Sequence, residues 1–225
     1  MIKKIFQKVL YKSGKNYTVD NRIPDKLFLS FIFCRLVMIF RGFFFLQKKV
    51  FLGRNSNIKN KGNIIFGKNV TIDKYTTIDG YAIEKLEFGD YSRIGAYSLI
   101  TCTSHMSKYG KGIKIGSNSA IGQFSEFGAA GGIIIGNDVI MGSYISFHSE
   151  NHNFGDTSRL IREQGVTSKG IILGNNIWVG AKVTFLDGCV IGDNCVVAAG
   201  AVVKGNFPNN VVIGGIPAKI LKTIE

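Results

Sequence analysis

Proline occurs three times in 225 residues, histidine three times and tryptophan once. So little proline excludes a Pro-rich linker or rod. The 28 glycines point instead to many tight turns in an ordered body. The four cysteines, Cys34, Cys102, Cys189 and Cys195, form no CxxC pair. That excludes zinc-ribbon spacing and a disulfide scaffold, and suits free thiols in a reducing cytoplasm. Acidic residues are also scarce, 15 against 28 Lys and Arg, for a formal net charge of +13. The imbalance is local. Residues 1–54 hold twelve Lys/Arg and two acids (+10), whereas residues 55–225 hold sixteen and thirteen (+3). No RNP1 or zinc-finger pattern accompanies the charge, so no nucleic-acid partner is expected. Basic residues beside apolar sequence suit an anionic membrane surface.

The apolar sequence in question is "LFLSFIFCRLVMIFRGFFFL", Leu27 to Leu46. Twenty residues are long enough to span a bilayer. Arg35 and Arg41 interrupt the run, each at about 2.5–3.5 kcal/mol at a bilayer centre. On a helical wheel Lys26, Ser30 and Arg41 share one side and Arg35 lies opposite. The pattern predicts an imperfect amphipathic helix at a membrane interface, making residues 1–46 a peripheral membrane contact. A helix packed on the body or on a neighbouring subunit is the alternative, and a true span a third reading. The run starts too late for a signal peptide.

Beyond residue 50 the chain repeats with a period of six. Large apolar residues recur at Leu52 and Ile58; at Phe66, Ile72 and Ile78; at Phe88, Ile94 and Ile100. They continue at Ile115, Ile121 and Phe127; at Ile135, Met141 and Phe147; at Leu173, Val179 and Phe185; and at Ile191, Val197 and Val203. The residue four places on is small or β-branched, as at Val70, Thr76, Ser98, Ser125, Cys189 and Cys195. Helices would need a period of 3.6. Six-residue units predict an all-β parallel β-helix over residues 50–205, three short strands to a coil, with large residues inside. An N-terminal helical segment, 1–49, caps one end and a tail, 206–225, the other.

The two longest interruptions of the period, at 101–114 and 148–170, contain all three histidines. His105 sits in the first; His148 and His152 sit in "HSENHNFGDTSRLIREQGVTSKG", the second. Long loops on a rigid scaffold are where binding and catalysis concentrate. Histidine can take a proton and return it near neutrality. No GxSxG nucleophile motif is present.

The repeats, together with "ENHNF", "IREQG", "GIILGNNIWVGAKVTFLDGCVIGDNCVVAAGAVV" and "GGIPAKILK", resemble the left-handed β-helix acyltransferases. They are most similar to the O-acetyltransferases of bacterial surface polysaccharides. The resemblance covers roughly residues 50–222. It implies a left-handed β-helix, a homotrimer with sites between subunits, and acetyl-CoA as acyl donor with no metal. His152 would be the general base. Trp178 would border the acetyl-CoA groove, with pantetheine contacts near Gly180, Ala181, Ala199 and Gly200. Lys219 and Lys222 would face the CoA phosphates. Lys204 is a weaker candidate, because the family's hydroxyl residue and Lys after "AGAVV" are replaced by Lys204 and Gly205. Glu150 or Asp156 could orient His152, and Arg159 or Arg162 could hold an anionic acceptor; each is otherwise a solvated loop charge. His148 would line the acceptor side or simply open the loop. The acceptor would be a sugar, nucleotide sugar or lipid-linked glycan, and the location cytoplasmic, peripheral at the inner membrane. N-acetylation of an amino sugar, a zinc hydro-lyase on the same fold and a non-catalytic membrane scaffold are the alternatives.

Overall fold

The structure, a computed structural model, describes residues 2–12 and 18–225. Residues 1 and 13–17, part of the expected N-terminal segment, lie outside the described residues. Two helices, α1 (Ile2–Lys12) and α2 (Asp25–Leu46), precede a three-sided parallel β-helix.

Each side of the prism is a stack of very short strands, and the six-residue period fixes the register. On the first face Leu52, Ile72, Ile94 and Ile121 lie in line, followed by Met141, Val179 and Val197. On the second face the line runs from Ile58 through Ile100, Phe127, Phe147 and Phe185 to Val203. On the third it runs from Phe66 and Phe88 to Leu173 and Ile191. All three columns point inward and, apart from the half-buried Phe66, are almost wholly buried. Phe127, Phe147 and Phe185 stack ring on ring at 4.8 and 4.6 Å. The small residues four places on also turn inward. Thr76 and Ser119 donate their hydroxyls to Gly95 and Gly136 carbonyls at 3.1 and 2.7 Å, so these buried polar groups are satisfied.

A strand two or three residues long must be followed at once by a corner, and the corners use left-handed backbone. Between the third and first faces this position is Asn69, Asn118, Asp138, Asn176, Asn194 or Asn210, residue types that tolerate it, and in one coil Tyr91. Between the first and second faces it is Asn55, Lys182 or Gly200 in the end coils, and Tyr75, Tyr97, Phe124 and Tyr144, at φ 58 to 61°, in the four coils between. Bulky residues are disfavoured there by about 1–2 kcal/mol each. Their rings stack in a ladder at 4.9, 5.0 and 5.1 Å, and each stacked pair returns about 0.5–1.5 kcal/mol.

The expected end of the solenoid at residue 205 is corrected. Asn206–Phe207 stacks on the third face and Val211–Gly215 on the first. Phe207 follows Val203 by four residues rather than six, so the periodic count stops early while the stack does not. Ala218–Thr223 then turns back antiparallel on Val211–Gly215 and covers the last edge of the first face.

α2 lies against the first strand, Phe51–Leu52. The Arg35 guanidinium sits 3.4 Å over the Phe51 ring and donates to Thr71 Oγ1 at 3.0 Å. Arg41 donates to the Leu52 carbonyl at 2.8 Å. A Cβ on Gly42 would lie 1.9 Å from the Val50 carbonyl oxygen, so only glycine permits this approach. The two arginines, opposed on the wheel, both bend to the body, and the helix leaves an apolar face outward. Burial alone pushes Cys189 and chiefly pushes Cys102 up to about 12, so both thiols stay protonated in the core.

Phe147→Ala removes the middle ring of the buried stack and is expected to cost about 3–5 kcal/mol. Ile140→Ala, at an exposed position, should stay within about 0.5 kcal/mol. Thermal and urea unfolding of both variants check this; equal losses would contradict the stacking account.

Candidate active site

The loop between Ser146–His148 and Ile171–Leu173 leaves the prism at the corner between its second and third faces. It folds on itself as an antiparallel ribbon, Asn151–His152 against Val166–Thr167. Asn153 closes it by donating its backbone N–H to the Gly165 carbonyl and its amide to the Gln164 carbonyl, both at 3.0 Å.

Asp187 fastens this ribbon to the coil. Its buried carboxylate accepts the backbone N–H groups of Lys169 and Gly170, both at 2.8 Å, and the Asn151 amide at 3.5 Å. Sequence reasoning missed Asp187. The signal was an acid at a corner position where other coils place Gly80, Cys102, Ala129 or Ser149. The two interruptions also join. Glu150 accepts the Ser104 hydroxyl at 3.3 Å and pairs with Lys108 at 3.5 Å, and Lys108 donates to Ser168 Oγ at 2.6 Å.

The histidines are thus held differently. His152 is exposed on the ribbon, and its ring has no hydrogen-bond partner among the described residues. His148 Nε2 lies 2.8 Å from Ser146 Oγ. His105 Nδ1 accepts the Ser107 backbone N–H at 3.2 Å and meets its hydroxyl at 2.7 Å. Neither candidate carboxylate is bonded to His152. Glu150 is engaged with Lys108 and Ser104. Asp156 binds the hydroxyl and backbone N–H of Ser158, and these bonds hold its carboxyl below the usual range. Arg159 donates to the Glu163 carbonyl at 2.6 Å. Arg162 is exposed and has no ion-pair partner among the described residues. Among the described residues no three His, Cys, Asp or Glu side chains come together in a metal-sized group.

Trp178 stands elsewhere, outward on the first face between Ile140 and Val196, and is 61% exposed. Ala181 and Ala199 follow at the corner between the first and second faces, one coil apart. The Gly180 and Gly200 amides are spent inside the fold, donating to the Val197 and Ala181 carbonyls at 2.8 and 2.9 Å. Among the described residues the Ala181 and Ala199 N–H groups have no acceptor, and both residues are exposed. A Cβ on Gly180 would lie 2.5 Å from the Ala199 nitrogen, so glycine is required where these coils meet. Lys204 sits at the corner between the second and third faces, the same corner as the histidine ribbon. Lys219 and Lys222 are exposed on the final strand. One chain therefore divides the expected residues between two corners: His152 and Lys204 at one, Ala181 and Ala199 at the other with Trp178 on the adjoining face.

Residues 170–205 match the bacterial transferase hexapeptide model of six repeats. Over these residues the chain carries the repeats of the bacterial hexapeptide transferases. Its coil is accordingly the left-handed parallel β-helix. The chain is 30% identical over 125 residues to WbbJ of Escherichia coli K12, provisionally named a lipopolysaccharide biosynthesis O-acetyl transferase, covering 52% of this chain and 64% of that protein. It is 32% identical over 94 residues to the galactoside O-acetyltransferase of the same strain, covering 41% of this chain and 45% of the enzyme. The chain thus spans about half to two-thirds of these curated relatives. A hexapeptide-repeat acetyltransferase of Vibrio cholerae, solved in complex with acetyl coenzyme A, superposes with a TM-score of 0.54 at 27% identity. That match covers 61% of this chain and 70% of the other.

Asp187→Ala removes the acceptor of two backbone donors in this hexapeptide-repeat fold. Losing such buried bonds costs about 1–3 kcal/mol, here spent on the loop. Limited proteolysis should cut within 151–169 several-fold faster, while hydrogen exchange of the coils stays unchanged. Uniform loss of protection in the coils would contradict a loop-specific role.

Proposed function

We propose that the protein transfers an acetyl group from acetyl-CoA to a hydroxyl of a sugar, in a bacterial surface polysaccharide or its precursor. The observation that carries this reading is the unengaged His152 imidazole, held on a pinned ribbon at a corner facing away from the two free coil amides. A three-sided prism that associates by threefold symmetry sets one chain's corner against its neighbour's. The site would then lie between chains of a homotrimer. One wall supplies His152 and Lys204, and the other supplies Trp178, Ala181 and Ala199. The relatives named O-acetyltransferases support the reaction class, and the Vibrio cholerae structure supports the donor.

The Ala181 and Ala199 N–H groups suit the amide carbonyls of the pantetheine arm. The exposed indole of Trp178 gives that arm an apolar wall. Lys204, Lys219 and Lys222 offer cations to the CoA phosphates, in the charge-assisted bonds that bind phosphate well. With the donor so placed, the acceptor hydroxyl oxygen attacks the thioester carbonyl carbon and His152 takes the hydroxyl proton. The tetrahedral intermediate collapses, the carbon–sulfur bond breaks, and the CoA sulfur leaves with the proton returned from His152. No protein nucleophile is needed. Arg162, with no ion-pair partner among the described residues, suits an anionic group on the acceptor.

General-base catalysis contributes about 10²–10⁴-fold. His152→Ala should therefore lose that factor in kcat while binding CoA and melting like the wild type, and His148→Ala should lose far less. Trp178→Ala should raise the KM for acetyl-CoA with little change in stability. Acetyl transfer to a surrogate sugar reads all three variants; full activity in His152→Ala would overturn the assignment.

A further inference from the structure

α2 is 22 residues of apolar helix, yet only Phe28, Gly42 and Leu46 are buried in it. Leu29, Phe33, Leu36, Phe40, Phe43 and Phe44 are between 45% and 74% exposed. At 100° per residue these six fall on one side of the helix, away from the Phe28, Arg35, Gly42 and Leu46 side that meets the body. So large a contiguous apolar face marks a contact surface rather than ordinary solvent exposure.

A cavity of about 780 Å³ lies beneath the flank of this helix, between it and the first face of the prism. Its lining is divided by chemistry. The helix supplies Phe33, Val37 and Met38; the body supplies Arg54, Lys74, Arg93 and Asp73, and Arg41 reaches in from the helix. Asp73 is spent on Arg93, at 2.7 Å. Arg54 and Lys74 have no acidic partner among the described residues. Each only lies over a tyrosine ring of the aromatic ladder, at 5.7 Å from Tyr75 and 5.8 Å from Tyr97. Two unpaired cations, a third held by a carbonyl and one acid already neutralised leave this cavity wanting an anion. Phe33 belongs both to the cavity lining and to the exposed face, so the two surfaces meet there.

We propose that this cavity binds an amphiphile carrying phosphate. Its charged head lies among Arg41, Arg54 and Lys74. Its hydrocarbon lies along Val37 and Met38 and leaves past Phe33 onto the outward face of α2. The charge of +10 in residues 1–54, against +3 in the remainder, draws anionic lipid to this end of the molecule. The helix rests on the lipid surface and does not cross it, because Arg35 and Arg41 fasten it lengthwise to the prism. The cavity's lining includes none of the acyl-transfer residues and is read by binding alone, so its failure and that of the catalytic reading are separable.

The test uses the full chain with dodecyl phosphate below its micelle concentration, dodecanol and inorganic phosphate as probes. Dodecyl phosphate should bind at least tenfold tighter than either of the others. A hydrogen bond to a charged group is worth about 1.5–3 kcal/mol, roughly tenfold or more in affinity. The exposed pair Arg54→Ala/Lys74→Ala should therefore weaken dodecyl phosphate binding by about ten- to a hundredfold with an unchanged melting temperature. Phe33→Glu should weaken it as well. Sedimentation with phosphatidylcholine vesicles, with and without phosphatidylglycerol, identifies the source. Binding that needs phosphatidylglycerol and is lost in the double variant points to membrane headgroups. Binding confined to the dodecyl monoester points to a phosphorylated lipid carrier. Wild-type binding in the double variant would overturn the proposal, as would equal affinity for inorganic phosphate or dodecanol. So would a Phe33→Glu protein that changes only its oligomeric state, since a second copy would then be what covers α2.

Discussion

Everything in this molecule depends on each coil setting its side chains directly onto those of the coil before. A strand of two or three residues buries little by itself and satisfies almost none of its own backbone groups. Both needs are met by the neighbour, through parallel ladders on three faces and interior columns in strict register. Stability is then a sum of adjacent interfaces. The prism is rigid along its length and tolerates insertion only at corners, where the chain already turns outward. Both long loops leave from the corner between the second and third faces, and their mutual bonding through Glu150, Lys108 and Ser168 makes them one surface.

The same rigidity separates the chemistry within a chain. His152 is carried by a loop at one corner, and the free amides of Ala181 and Ala199 by the coil at another. A coil has no means of bending those corners together. The proposed reading joins them through neighbouring chains. It also accounts for Lys204, which shares the corner of His152 and is remote from the amides. Catalysis in this account is positioning: a pinned base, a groove of coil amides, and a donor thioester that needs no protein nucleophile.

The period of six was legible because interior volume is set residue by residue. Leu52, Ile72, Ile94 and Ile121 had to be large and apolar wherever they fell, and the structure places them in one column. The histidine loop was legible as a break in that rhythm. Other features act through space and left little trace. Asp187 serves loop residues seventeen to thirty-six positions away in sequence, and only its acid in place of a small corner residue hinted at it. The last turn was hidden by a four-residue step from Val203 to Phe207, although Phe207 and Ile213 continue the stack. The aromatic ladder defied propensity: stacking between coils offsets only part of the cost of left-handed backbone at Tyr75, Tyr97, Phe124 and Tyr144. For α2 the helical wheel set Arg35 against Arg41, but a long flexible side chain can reach the body from either flank.

The central claim is that one site is built from two corners of different chains. The most direct measurement mixes two inactive variants, His152→Ala and Ala199→Trp, the second filling the groove at the amide corner. Subunits are exchanged through mild denaturant and acetyl transfer is assayed. If the corners belong to different chains, mixed assemblies contain some sites with an intact His152 facing an intact Ala199. Activity then rises well above that of either parent. If both corners of a site come from one chain, no mixture can restore it and the mixed sample stays as inactive as its parents, which would contradict the account.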